Sequence, residues 1–294
     1  MAANIDSEIH KYDYKFGKND GSAGATIVSM ASESRRVLEI GAGPGSIARV
    51  LKDRSGCNLT AIEIDPVSVE KLKTFCDAVY CLDLNDENWT SAFDGIEKFD
   101  TIIAADILEH LIDPLATLKL AITLLAEHGQ IIVSLPHVGH ASVMACLFNS
   151  DFSYMQDGLL DRTHLRFFGV ANIQDLFDDA GLNINEANFV VRSPDSTELM
   201  TQWNKLAPSV REVLLTSRFS DVTQVVVKAS VDSNPDETIN ILALEPPKPR
   251  FSLARILIPN AGLRLSIREL IRAKFKPRTK QKMRQFARML KLDL

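Results

Sequence analysis

The feature that most constrains this chain is a series of short apolar runs of strand length that alternate with helical patterns. Arg36 to Ile40, Leu59 to Ile64, Ala78 to Leu82, Phe99 to Ala105 and Gln130 to Leu135 are separated by helix-period stretches at 45–55, 66–76 and 114–126. Strands linked through helices pair in parallel by right-handed crossovers. The expected fold is therefore α/β, a doubly wound and mostly parallel sheet that gathers its ligands at the carboxyl ends of the strands. A short helix from Ser22 to Ala31 precedes the first strand, and a helix at 170–180 follows the fifth. Two later β-like runs, Asn183 to Arg192 and Asp221 to Ala229, flank a partly helical stretch with Trp203 and Leu206 to Ser217, and bring the sheet to seven strands. Segment 136–169 carries aromatics, glycines and three histidines, and is long enough to cover a substrate. Residues 1–230 are read as the body. Residues 231–250, with Pro235, Pro246, Pro247 and Pro249, read as a linker, and 251–294 as a basic helical tail.

Charge separates tail from body. Residues 250–294 hold 13 Lys/Arg against Glu269 and Asp293, which leaves 20 basic and 36 acidic residues in 1–249. A body that acidic is not suited to gripping a phosphate backbone, so nucleic acid is not the expected substrate. In the tail, Met283, Phe286, Leu290 and Leu294 recur at helical spacing with Lys280, Lys282, Arg284, Arg288 and Lys291 largely elsewhere around the helix. That amphipathic pattern fits an anionic membrane surface, and equally fits packing on the acidic body, on a second subunit or on a glycosyltransferase partner. Cys57, Cys76, Cys81 and Cys146 form no C-x-x-C pair and have no histidine at zinc-ligand spacing, so free thiols in a reducing compartment are expected. The start of the chain lacks a signal-peptide apolar stretch, and the apolar segment 111–126 is interrupted by Asp113 and Lys119. The expected location is cytoplasmic, with the tail as a route to the inner face of the membrane.

The strongest local motif is Glu39-Ile-Gly41-Ala-Gly43-Pro-Gly45-Ser46, a strand running into a glycine loop that opens a helix. Glycines there admit close approach of a ligand to the backbone, and the helix start offers free N–H groups. A dinucleotide loop reads G-x-G-x-x-G, whereas this one reads G-x-G-x-G with Ser46 at the place of the third glycine. Glu39 ahead of it suits a ligand amine rather than a pyrophosphate. Glu63 lies 22 residues after Gly41 at the end of the second strand, where a carboxylate can accept ribose hydroxyls, and Asp83 ends the third.

With these residues in place, the sequence resembles the class I S-adenosylmethionine-dependent methyltransferases over about residues 10–230. VLEIGAGPG, AIEIDP, CLDLND, FDTIIAADILEHLIDP and GQIIVSLPH carry the resemblance in order. NDGSAGATIV, SLPHVGHASV and GLLDRTHLRFFG are similar to a bacterial subgroup associated with surface-polysaccharide and glycan biosynthesis. The resemblance implies S-adenosylmethionine as cofactor and S-adenosylhomocysteine as product. It places Gly41, Gly43 and Gly45 along the methionine part, Glu39 near its amino group, Glu63 at the ribose, Asp83 at the adenine amine, and Ala104 to Asp106 beside the sulfonium. The cofactor motifs do not encode the acceptor; the polar, histidine-bearing Asp161 to Arg166 leans toward O-methylation of a sugar hydroxyl of a glycan or glycolipid precursor. Methylation of a small aromatic or lipid-linked metabolite, and a non-catalytic cofactor-binding role in a glycosyltransferase complex, remain as alternatives.

A hydroxyl acceptor must lose its proton, and a positioned base contributes about 10²–10⁴-fold. His110, just after the fourth strand, is the first candidate, against a reading as a helix-start histidine bonded to backbone. His164, in the polar cluster Asp161 to Arg166, is the second, against a turn held by Arg–Asp pairing. His137 and His140 are read mainly as loop histidines, and His10 and His128 are assigned to solvent. Asp161 and His164 alone are too few ligands for a metal, and none is expected.

Overall fold

The computed structural model describes residues 12–17, 20–232 and 238–249. Seven strands, β1 (Arg36–Ile40), β2 (Asn58–Glu63), β3 (Ala78–Cys81), β4 (Phe99–Ala105), β5 (Leu125–Pro136), β6 (Asn183–Val191) and β7 (Val222–Ser230), form one sheet in the order β3-β2-β1-β4-β5-β7-β6. Strands β1 to β5 pair in parallel, and β7 runs antiparallel between β5 and β6. The chain winds outward from β1 to β3 and then returns to β4 on the other side of β1. The β1/β4 boundary is thus the topological switch point, where the loops after the two strands diverge and leave a crevice.

The helices are α1 (Ala23–Met30), α2 (Ser46–Ser55), α3 (Pro66–Leu72), α4 (Pro114–Ile122), α5 (Ala141–Phe148), α6 (Val170–Asp179), α7 (Met200–Lys205) and α8 (Pro208–Leu214). Their starts are set by local chemistry. Ser22 accepts a hydrogen bond from the Ala25 N–H, Asp65 from Val67 and Ser68, and Asp113 from Ala116, with Pro66 and Pro114 already at helical φ behind the two aspartates. Each aspartate therefore stops a strand or turn and starts a helix within one residue.

Both faces of the sheet are buried. On one, Leu38, Ile40, Ile102 and Val133 pack with Leu118 of α4 and Phe177 of α6; on the other, Val37, Leu59, Ile103 and Ile132 pack with Ile27 of α1 and Leu51 of α2. Successive strand residues alternate between these layers, which is why the strands read as continuous apolar runs. Truncating a fully buried Leu38 to alanine costs about 2–5 kcal/mol by loss of transfer energy and the cavity left.

The helical pattern expected over 114–126 ends at Ile122, because Leu125 already pairs with Phe99 as the start of a twelve-residue β5. A shift in register then accommodates Ala126 to Gly129, with His128 at φ 60°. Segment 136–169 is built into the body: Val143 and Cys146 of α5 pack on Leu159, Leu160 and Leu199, while Ala141 and Ala145 pack on Trp203 and Leu206. Part of the stretch expected as a linker is also packed. The Ile239 N–H bonds to the Ile184 carbonyl (2.7 Å), the Ile241 N–H bonds to Gln174 Oε1 (2.9 Å), and Ile241 is fully buried, because its apolar side chain fills a gap beside α6 that the prolines do not. The chain divides into two units at Pro247/Lys248, and the expected tail helix lies outside the described residues. Among the described residues no helix is long and apolar enough to cross a membrane.

Candidate active site

A cavity of about 1060 Å³ opens at the carboxyl edge of the sheet, over the β1/β4 boundary. Its floor on the β1 side is the glycine loop. Gly41 has φ +67°, and a Cβ there would stand 2.4 Å from the Ile107 side chain. Gly43 has φ +52°, and a Cβ there would meet only Tyr12 Cβ, at 3.9 Å, an ordinary contact distance. Packing does not require glycine at 43; the left-handed backbone does.

Two carboxylates frame this loop. Glu63 Oε2 accepts from the Gly43 N–H (2.7 Å), and its Oε1 accepts from the N–H groups of Ile64 (2.8 Å) and Asp65 (2.9 Å). Glu39, the fourth residue of β1, is 2% exposed, and its Oε2 has no hydrogen-bond partner. Burial pushes its carboxyl up to about 8; a hydrogen bond from the Ala48 backbone offsets part of this, and the charge of Glu63 adds to it.

The β4 side is built on Asp106, which follows the strand in a left-handed conformation (φ 49°). Its Oδ1 accepts from Ser134 Oγ (2.7 Å) and Gln224 Nε2 (2.9 Å), and Oδ2 accepts from Gln224 Nε2 (2.8 Å). Burial raises its carboxyl, and the bonds from Ser134 and Gln224 pull it back. A short 3-10 turn, Leu108–His110, then presents Glu109 and His110. The 158–169 loop returns to this turn: the Leu165 and Arg166 N–H groups bond to the Glu109 carbonyl (2.8 and 3.0 Å), Arg166 Nη2 bonds to the Ile112 carbonyl (2.6 Å), and His110 Nδ1 donates to the Thr163 carbonyl (3.1 Å). These bonds bring the His110 and His164 rings to 4.9 Å centroid separation, with His164 Nε2 at 3.9 Å from Glu109 Oε1. Asp161 Oδ1 holds the Thr163 N–H (2.9 Å) and hydroxyl (2.7 Å). Burial, then the charges of Asp106 and Asp161, push the Glu109 carboxyl well above its ordinary range.

Of the residues singled out from the sequence, Glu39, Gly41, Gly43, Glu63, Asp106, His110 and His164 line this one cavity. Three stand outside its wall. Asp83 is exposed at the end of β3, its Oδ1 accepting from the Asn85 backbone (2.9 Å) and side chain (3.0 Å). Gly45 caps α2 at φ +86°, where a Cβ would meet Phe75 Cζ at 2.4 Å, so its space is taken by packing. Ala104 faces the core layer of α4 and α6, and Ala105, one residue on and therefore on the other face, lines the cavity. His137 is buried beside Phe168, and His140 caps α5 and bonds to the Arg192 carbonyl (2.8 Å), so both serve the scaffold, while His128 is exposed on Asp232. His10 lies outside the described residues.

Sequence reasoning missed Tyr12, Tyr14, Glu109 and Gln224 among the lining residues. Tyr12 and Tyr14 lie across the glycine loop, the Tyr14 N–H bonding to Ser46 Oγ (3.1 Å), which in turn bonds to the Tyr12 carbonyl (3.0 Å). Gln224 reaches Asp106 from β7, 118 residues away. Nothing local to these positions announces them; only the paired tyrosines in a polar opening were visible.

The chain's own groups fit an amino-acid nucleoside carrying a sulfonium. Above Gly43 a Cβ would meet only Tyr12, the buried Glu39 Oε2 is an acceptor without a partner that an ammonium would satisfy, and the Glu63 carboxylate lines the same cavity. Residues 18–187 match the family model for a methyltransferase domain. Over 169 residues the chain is 22% identical to a ubiquinone biosynthesis O-methyltransferase of Aeromonas salmonicida, covering 56% of this chain and 69% of that protein. Among solved structures, a candidate methyltransferase of Bacillus halodurans is similar with a TM-score of 0.52 at 13% identity, over 73% of this chain and 99% of that one. A plantazolicin methyltransferase in complex with a triazolic desmethylPZN analog and SAH is similar with a TM-score of 0.51 at 15% identity, over 77% and 91%. At such identities the solved structures establish the fold, and the family model, which spans more than half of the chain, establishes the family. The chain belongs to the methyltransferase-domain family and is an S-adenosylmethionine-dependent methyltransferase.

Proposed function

We propose that the protein methylates a hydroxyl of a sugar in a glycan or glycolipid precursor. The observation that carries this reading is the polarity of the acceptor half of the cavity, where Glu109, His110, Asp161, Thr163 and His164 converge and the Tyr12 hydroxyl donates to Asp161 Oδ2 (3.3 Å). A sugar's several hydroxyls can satisfy such groups, whereas a flat aromatic acceptor would leave them unpaired. The likeness of GLLDRTHLRFFG to the glycan-associated subgroup agrees with it.

S-adenosylmethionine supplies a methyl group activated on its sulfonium. The protein's task is then mainly positioning, for which about 7–11 kcal/mol is available in principle. Glu39 holds the amino group. Glu63 spends three of its roughly four acceptor sites on backbone N–H groups, so it takes one ribose hydroxyl and fixes the loop with the rest. Gly41 and Gly43 let the methionine part lie on the backbone, Asp106 closes the wall beside the sulfonium, and His110, with His164 beside it, handles the acceptor proton. The second reading, a small aromatic or lipid-linked metabolite, is favoured by the ubiquinone biosynthesis relative. Incubation with methyl-labelled cofactor and fractionated surface-glycan precursors separates them. Label in a glycan fraction, at a position blocked by prior O-acylation, supports the sugar; label only in aromatic or quinol acceptors overturns it.

A further inference from the structure

We propose that Glu109, His110 and His164 form a site for a divalent transition-metal ion at the acceptor end of the cavity. Each residue offers one ligand atom, and these atoms all lie within 4.8 Å of one another. Two imidazoles and one carboxylate suit Mn²⁺, Fe²⁺ or Zn²⁺, whereas Mg²⁺ prefers an all-oxygen shell. Ligands at about 2.0–2.2 Å from one ion stand roughly 3.3 Å apart, so side-chain movements of about an ångström or less bring these three onto a common centre.

Three observations favour an ion over a plain hydrogen-bonded cluster. Glu109 is 1% exposed and its Oε2 has no hydrogen-bond partner, and a carboxylate oxygen so placed needs a donor or a cation. His110 Nδ1 faces the Thr163 carbonyl, which only accepts, so Nδ1 carries the proton and the neutral ring presents its Nε2 lone pair, the tautomer that a backbone carbonyl commonly imposes on a metal-binding histidine. Finally, Asp106, Glu109 and Asp161 share this end of the cavity, and the only Lys or Arg among the described lining residues, Arg192, is directed to Glu198 (4.0 Å) and the Ser196 carbonyl (2.7 Å). Asp106 and Asp161 are themselves held by Gln224, Ser134 and Thr163, so three protein ligands remain and the other positions of the ion stay open, as in catalytic rather than structural sites.

An acceptor hydroxyl at an open position would be fixed in place, and coordination would lower its pKa. Its proton passes to solvent, and the new O–C bond forms as the donor's S–C bond breaks. His110 and His164 thus serve the loss of the acceptor proton by holding the ion that acidifies the hydroxyl. The ion's task rests on the hydroxyl-methylation reading above; its binding does not.

The test uses the full chain, stripped with chelator and titrated with Mn²⁺, free ion being read by electron paramagnetic resonance and heat by calorimetry. One saturable ion per chain is expected, weakened at least tenfold in Glu109→Gln and in His164→Gln and unchanged in Glu127→Gln. No saturable binding by the unaltered protein up to millimolar Mn²⁺ overturns the site, however the variants fold, and so does unchanged affinity in either variant that keeps its circular dichroism. Ion binding without sugar methylation refutes the acceptor reading alone, and sugar methylation without ion binding refutes the metal site alone.

Discussion

Glu39 gives the sharpest quantitative prediction, because its buried carboxyl has to ionise to meet an ammonium. Moving that carboxyl from 4.5 to about 8, at ~1.4 kcal/mol per pH unit, means that ionising it in the empty cavity costs about 5 kcal/mol more than in water. At pH 7 the empty protein therefore carries Glu39 mostly protonated, and binding the cofactor's amino group draws the proton off. Two consequences follow for S-adenosylhomocysteine binding between pH 6 and 7.5. Affinity should rise close to tenfold per pH unit, and calorimetry in phosphate and in Tris should report release of nearly one proton per ligand at pH 7. Glu39→Gln keeps the shape and removes the charge. It should abolish both the pH slope and the proton release, and weaken binding near pH 8 by about 1.5–3 kcal/mol, the worth of a charged hydrogen bond. The unliganded protein moves the opposite way. A folded-state pKa raised above the unfolded one makes stability fall as pH climbs from about 4.5 to about 8, and Glu39→Gln should flatten that decline. A slope and proton count unaltered by Glu39→Gln would show that another group meets the amine.

Four further outcomes are expected. His110→Ala should lower turnover with saturating acceptor at least a hundredfold and His164→Ala less, with cofactor affinity unchanged by calorimetry; near-parental turnover in both variants would leave positioning alone to account for the rate. Gly45→Ala places a Cβ at 2.4 Å from Phe75 Cζ at φ +86°, so urea denaturation should show a loss of about 2–4 kcal/mol from overpacking and left-handed strain together. His137, lowered to about 4 by burial, is neutral in the fold, so between pH 6.5 and 4 the unfolded chain binds the extra proton and stability falls by up to about 3 kcal/mol; His137→Phe should reduce that acid sensitivity in thermal melts. The basic stretch 251–294 should carry the full chain down with anionic vesicles at low salt, and a chain ending at Pro249, which keeps the packed segment around Ile241, should stay in solution; equal sedimentation would favour a tail that packs on protein.

What the sequence settled by itself is what depends on neighbours along the chain. A short continuous apolar run bounded by turn residues reads as a strand buried on both faces, Asp65-Pro66 and Asp113-Pro114 start helices by their own hydrogen bonds and fixed φ, and the loop from Gly41 to Gly45 needs left-handed backbone that glycine supplies. Those local rules suffice for seven strands in alternation with helices, and they put Glu39, Gly41, Gly43, Glu63, Asp106 and His110 at one edge of the sheet. The tertiary structure decided everything that rests on direction and distance. Ala105 rather than Ala104 meets the cavity because a one-residue step reverses the face, Gly45 is filled from behind by Phe75, and Asp83 turns onto Asn85 instead of inward. Glu109 and His164 are 55 residues apart, and Asp106 and Gln224 are 118 apart; no propensity or spacing encodes their meeting, which follows from the 158–169 loop bonding back onto the Glu109 carbonyl and from β7 inserting antiparallel beside β5. Along the chain only Asp161 and His164 pair as ligand candidates, whereas the fold brings Glu109, His110 and His164 within 4.8 Å of one another, because ligation depends on separation in space and not in sequence.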